Sequence, residues 1–352
     1  MYQSSQYTHA SDRAALKALK AIPGFHQFVK AFMNVWSERQ FRIMNMSSNL
    51  RISEKQLPEY YNMLPPICEK LGIDIPDLYL ELNVNPNSYT AGDTKPFIVI
   101  TSGLFETIPM ELIPTVLAHE CGHIACHHVL YTTMGRIILN GTSSAMQRLF
   151  SLYGSIAMLP LQVAFFYWMR CSELSADRAA ALCDGSSEKM TDVCMRLAGY
   201  DKDIDAKANK EEFMGQAVEY REMINKSKWD KTLEFFALQG QDHPFVAVRA
   251  LECKEWGESD RFMSILKGMP VQIEEDVALD GKKMEEEAPE EKSKKARFRV
   301  DLPKFMKKEN DKDKEARHSA VVDELREYKQ LLDDGIITEE EFQVKKKQLL
   351  GI

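Results

Sequence analysis

The chain has 352 residues, 44% of them hydrophobic and 28% charged, with a formal net charge of −8. Those values exclude a fully disordered chain and a polytopic membrane protein. The acidic balance also argues against a nucleic-acid binder that works through its overall field, and the length suits a catalytic-sized domain with attachments.

From the N-terminus, residues 1–30 are polar or amphipathic and lack the apolar stretch of a secretory signal. The seven cysteines include no CxxC pair, so a reducing, cytoplasmic setting is expected. Residues 11–46 read as helix broken at Pro23-Gly24, and a second helix is expected from Ser53 to Leu71. Between Ile75 and Thr101 the texture changes to short β-type runs, DLYLELNV and PFIVIT, separated by turn signals. Helical spacing returns from Pro109 to Tyr131 and dominates to about Gly268. The expected fold class is α+β, a helix-rich core with one small β-sheet spanning residues 1–270.

An acidic block and then a basic block (KSKKARFRVDLPKFMKK) mark residues 271–318 as a solvated linker. Residues 319–352 form a separate helical hairpin in this reading: Leu325, Tyr328 and Leu332 recur at helical spacing, Asp333-Asp334-Gly335 supplies a stop, and Thr338 with Glu341 makes a capping box. The pattern LxxxxxLLDDGIITEEEFxxKKxxLL resembles the short C-terminal module called SHOCT. That resemblance implies a role in homo-oligomerisation or in binding a protein partner, and no chemistry.

The chemistry lies in His119-Glu120-Cys121-Gly122-His123. Residues i and i+4 of a helix share a face, so His119 and His123 aim their imidazoles at one point, where Zn²⁺ would accept two nitrogens. Glu120 points beside that spot and can take a proton there. Cys121 points away from it and reads as a small hydrophobe packed behind the helix. A catalytic zinc site needs a third protein ligand. His127 and His128 are disfavoured by distance and by helix face, and read as surface or outer-layer residues. Glu173 and Asp177, in CSELSADRAAALC, share a helix face. Spacing alone leaves two readings open for them: a ligand with an orienting carboxylate behind it, or a solvated acidic face.

HECGH followed by ELSAD resembles the M48 metallopeptidases, the HtpX-like gluzincins, whose pattern is HExxH and then ExxxD. Asn87-Ser88-Tyr89-Thr90-Ala91-Gly92 looks like the family's N-A-F/Y-x-x-G strand. His128 matches a His often found five residues after the second ligand, and His243-Pro244 with Arg249 looks like the late HPxxxxR motif. The resemblance covers roughly residues 15–255. It implies a gluzincin core, one Zn²⁺ per chain held by His119, His123 and Glu173, and Glu120 as general base and proton shuttle. It also implies Asp177 as an orienting carboxylate and His243 as an oxyanion donor, while Arg249 is read as tying its turn to the core. The expected function is zinc-dependent endopeptidase action on protein substrates, with protein quality control as its setting. The competing reading is a non-catalytic, zinc-containing chaperone-like or partner-binding protein. Glu120 argues against it, since a purely structural zinc has no need of a base. A hydrolase of some non-peptide substrate would use the same residues.

Leu149 to Met169 carries no charge and is long enough to span a bilayer. A single crossing would put His123 and Glu173 on opposite sides, so the insertion at about 130–170 is read as a hydrophobic hairpin: buried, interfacial, re-entrant or crossing twice. It is a candidate contact with the cytoplasmic face of a membrane.

Overall fold

In the computed structural model, residues 1–35, 37–140, 155–199, 208–226 and 245–272 are described. All of them belong to the first of two units, Met1–Lys292. The expected linker over 271–318, from residue 273 on, and the expected hairpin over 319–352 lie outside the described residues.

The chain begins with α1 (Ser4–Tyr7), α2 (Ala10–Lys20), α3 (Phe25–Val35) and α4 (Glu38–Ser48). The expected break after α2 falls at Pro23-Gly24, where Gly24 takes a left-handed φ of 88° that costs a residue without Cβ little. Ser37 starts α4 by accepting a hydrogen bond from the Gln40 N–H. The helix expected from Ser53 begins later. Leu50–Ile52 form strand β1, Ser53 and Gln56 close a tight turn, and only then come α5 (Pro58–Tyr61) and α6 (Leu64–Leu71). Proline sets both starts, because its missing N–H costs nothing in a first turn.

Strands β2 (Asp77–Glu81), β3 (Ser88–Ala91) and β4 (Phe97–Thr101) complete a sheet of order β1-β2-β4-β3. β2 and β4 run parallel, while β1 and β3 are antiparallel edge strands. β4 (FIVIT) is buried along its whole length, as an unbroken apolar run in a central strand should be. A short helix, α7 (Ser102–Thr107), leads to α8 (Ile113–Ala125) and α9 (Val129–Asn140). The helix expected over 109–131 is therefore interrupted, because the chain turns at residues 126–128 with His127 at φ 58°. α10 (Ser155–Asp184), α11 (Glu188–Leu197), α12 (Lys210–Lys226), α13 (Val246–Gly257) and α14 (Asp260–Leu266) follow.

Two main apolar clusters organise these elements, with a third, smaller one of Tyr79, Ala91, Phe97 and Val99 on the sheet. The larger joins β2 and β4 to α6, α8, the second half of α10, α11, α13 and α14, through residues such as Ile98, Leu117, Ala180 and Trp256. Cys121 lies in this cluster with no exposed surface, as read from sequence, and all seven cysteines are free thiols. The second cluster packs Leu161, Phe165 and Trp168 of α10 against Leu19, Phe25, Phe28, Phe32 and Met134. Leu161, Phe165 and Trp168 of the charge-free run are thus built into the protein core. Among the described residues, no helix is long and apolar enough to cross a membrane.

Truncating Phe165 to Ala should cost about 3–5 kcal/mol through lost burial and the cavity left behind. Denaturant unfolding measures this, and a midpoint unchanged from wild type would contradict a packed role for this stretch.

Candidate metal centre

Two helices bring the candidate ligands together. α8 carries His119, Glu120 and His123, and α10 carries Glu173 and Asp177 one turn apart. Their axes can close at Gly122, where a built Cβ would sit 2.7 Å from the Ala179 Cβ and 3.1 Å from the Ala176 Cα. Glycine and two alanines at the crossing bring the two backbones close enough for short imidazole and carboxylate arms to meet.

They do meet. His119 Nε2 lies 3.4 Å from Glu173 Oε2, and His123 Nε2 lies 3.4 Å from Glu173 Oε1. One ligand atom from each of the three residues falls within 4.8 Å of the others, and all three residues are buried. Both imidazoles turn Nε2 inward because Nδ1 is engaged on the far side: His119 Nδ1 by Asp177 Oδ1 at 2.8 Å, and His123 Nδ1 by His128 Nδ1 at 3.1 Å. Two inward imidazole nitrogens and one carboxylate suit a divalent zinc, whose catalytic sites often use this donor set. Glu173 and Asp177 therefore do not form a solvated acidic face.

Arg249, on α13, is the cation of the centre. Its Nε and Nη2 donate to Asp177 Oδ2 and Oδ1 at 2.8 and 2.6 Å, and its Nη1 lies 3.0 Å from Glu173 Oε2. The expectation that it ties its turn to the core thus gains its partners: it spans the two carboxylates of ELSAD. Its spacing within HPxxxxR could have flagged it, but no local rule says which carboxylates it meets. Burial opposes the charge of Asp177, yet the Arg249 guanidinium and the bond to His119 hold its carboxyl below the usual range.

Glu120 is buried beside the ligands and faces β3. Ser88 Oγ donates to one of its oxygens and Thr90 Oγ1 to the other, each at 2.7 Å. Alternate residues of a strand share a face, which is why positions 88 and 90 act together. Neither residue was singled out from sequence as a partner of Glu120, although both lie in the motif that names the strand. His128 is buried against His123, so it belongs to the layer behind the ligands, while His127 is exposed. His243 lies outside the described residues.

A cavity of about 630 Å³ opens over His119 and Arg249. Leu104, Val116, Met190, Val193 and Leu197 contribute its apolar lining, and Asn83, Asn85 and Asn87 its polar part.

Residues 69–257, more than half of the chain, match the model of peptidase family M48, and residues 323–350 match that of the short C-terminal domain. The chain is 30% identical over 266 residues to the plastoglobule-localized metallopeptidase 48 of Arabidopsis thaliana, covering 75% of this chain and 76% of that one. It is 21% identical to a protease HtpX homolog of Ralstonia pickettii, covering 48% of this chain and 65% of the relative. A protease HtpX homolog 2 of Methanosarcina mazei is 24% identical over 42% of this chain and 58% of its own length. The chain thus spans less than two thirds of either HtpX-named relative. No solved structure matches it.

Two outcomes follow from this geometry. Gly122→Val should force α8 and α10 apart and abolish tight zinc binding, read by elemental analysis of the purified variant; a full zinc content would show that the helix approach is not limiting. Burial opposes protonation of His119, but its bonds to Asp177 and Glu173 and their charges raise its pKa from 6.5 to about 9. In the zinc-free protein that interaction stabilises the fold fully below pH 6.5 and is lost as pH climbs through about 9. Zinc must displace that proton, so apparent affinity should rise by up to about tenfold per pH unit over this interval. Chelator competition across the range measures it, and a flat profile would contradict a proton held at His119.

Proposed function

The chain belongs to peptidase family M48, and on that premise we propose that it is a zinc-dependent endopeptidase whose single metal is held by His119, His123 and Glu173. The observation that carries this reading is the convergence of the two Nε2 atoms on the Glu173 carboxylate, with the Glu120 carboxylate alongside. A zinc ion bound there supplies Lewis acidity, polarising a water and the scissile carbonyl.

The chain's own residues do the rest. Asp177 and Arg249 orient His119 and Glu173, and so set the direction of the ligand atoms. Glu120 takes the proton of the attacking water and returns it to the amine that leaves. Ser88 and Thr90 aim its carboxylate, which spares the reaction the entropy of finding it. The outer side of edge strand β3 is the proposed rail for an extended substrate, which would add to the sheet by backbone hydrogen bonds. The apolar lining of the cavity fits a large aliphatic or aromatic side chain next to the scissile bond. His243 is the proposed donor to the developing oxyanion.

In this reading residues 1–270 are the peptidase unit, 271–318 a linker and 319–352 an assembly module that engages a second copy or a protein partner. Seven free thiols suit a reducing, cytoplasmic setting. The proposed setting in protein quality control rests on the family resemblance. Leu161, Phe165 and Trp168 are committed to the core, so a membrane contact through 149–169 would use the other residues of that segment.

Glu120→Gln should keep about one zinc per chain while cleavage of an unfolded protein substrate falls by roughly 10²–10⁴-fold. Glu173→Ala should lose most of its zinc. Full activity in the first variant would remove Glu120 as base, and wild-type zinc content in the second would require a different ligand set.

A further inference from the structure

The outer nitrogens of the two metal-facing imidazoles are not held in the same way. His119 leans directly on a carboxylate, whereas His123 leans on another imidazole. That second imidazole is held in turn: His128 Nε2 lies 2.9 Å from Asp12 Oδ2. His128 and Asp12 are each 1% exposed, so no bulk water can substitute for either contact.

The local chain explains how His128 reaches this place. α8 ends at Ala125, His127 adopts a left-handed φ of 58°, and the His128 N–H donates to the His123 carbonyl at 3.0 Å. This turn folds His128 back beneath the second residue of the HExxH pair. Asp12 is fixed separately, by Trp168 Nε1 donating to Oδ1 at 2.9 Å and Ser175 Oγ donating to Oδ2 at 2.6 Å. Three donor groups around one carboxyl, with no acceptor needing a proton from it, match the ionised form.

With both imidazoles neutral, proton counting then leaves one arrangement. Each neutral imidazole carries one N–H. Asp12 can only accept, so His128 keeps its proton on Nε2 and presents a bare Nδ1. That bare nitrogen accepts from His123, which must therefore carry its proton on Nδ1 and leave Nε2 free to face Glu173. We infer that Asp12 and His128 are positioning residues that set the tautomer of His123, making helix α2 a working part of the metal centre. Asp12 lies well before the 69–257 stretch matched by the family model. The inference rests on the reading that His123 is a zinc ligand, and the test separates the two.

The experiment uses the full chain, zinc-loaded and ¹⁵N-labelled at histidine. Long-range ¹H–¹⁵N correlation reads the tautomers, and competition with a chromophoric chelator reads zinc affinity in wild type, Asp12→Asn and His123→Ala. The expected spectrum has His128 protonated at Nε2 only and His123 at Nδ1 only. Asp12→Asn should bind zinc about 10–100-fold more weakly, the usual effect of removing a partner behind a metal ligand, and its His128 should populate both tautomers. A wild-type His128 protonated at Nδ1 would overturn the inference, as would a folded Asp12→Asn with unchanged affinity. Should Asp12→Asn fail to fold, the wild-type spectrum decides alone. If His123→Ala binds zinc as tightly as wild type, the ligand assignment itself fails, and the inference with it.

Discussion

The close crossing of α8 and α10 is the constraint on which the rest of the site depends. The ligands come from two helices, so the helix backbones must stay close enough for the two imidazoles and the Glu173 carboxylate to meet. Gly122 against Ala176 and Ala179 makes that possible. Glycine inside a helix weakens it by roughly 0.5–1 kcal/mol relative to alanine. Here that weakness is offset by the burial around it, where Leu117, Ala118 and Cys121 on one helix and Ala179 to Leu182 on the other are almost wholly covered.

Bringing the helices together also buries an unusual density of ionisable groups. Asp12, His119, Glu120, His123, His128, Glu173, Asp177 and Arg249 are all at most 6% exposed. Isolated charges at such depth would cost several kcal/mol each, so each must be met by partners of good geometry. Those partners are drawn from every layer of the fold: β3 supplies hydroxyls to Glu120, α13 supplies Arg249, and α2 supplies Asp12. The network makes the site specific at the expense of tolerance. Removing one member strands another in a medium that cannot solvate it.

α10 shows how one long helix serves two purposes. Leu161, Phe165 and Trp168 pack into the aromatic cluster of α2, α3 and α9, while its second half carries Glu173 and Asp177 towards α8. Trp168 joins the two, since its ring lies in the aromatic cluster and its N–H reaches Asp12. The charge-free texture that suggests a membrane segment belongs, where its side chains are described, to a helix that buries the stripe Leu161, Phe165 and Trp168 in the protein core. Hydropathy cannot distinguish these two environments, because lipid and core are equally apolar.

Much of this was legible in the chain alone, where the governing physics is local. The i, i+4 spacing of His119 and His123, and that of Glu173 and Asp177, is a property of any α-helix. The break at Pro23-Gly24 and the strands at Asp77–Glu81 and Phe97–Thr101 likewise follow from backbone geometry over a few residues, whereas the strand at Ser88–Ala91 is legible only through the family resemblance. Where local signals conflict they mislead: helical spacing reaches back to Ser53, although β1 and a tight turn come first, and apolar spacing continues through the turn at His127. The partners of the site are a different matter. Nothing near Asp12 marks it as the anchor of His128, and nothing near Arg249 says that it spans Glu173 and Asp177. Those pairings are decided when distant helices pack on a common core, since the hydrogen bonds and charges that select them act only across space and only once water has been excluded.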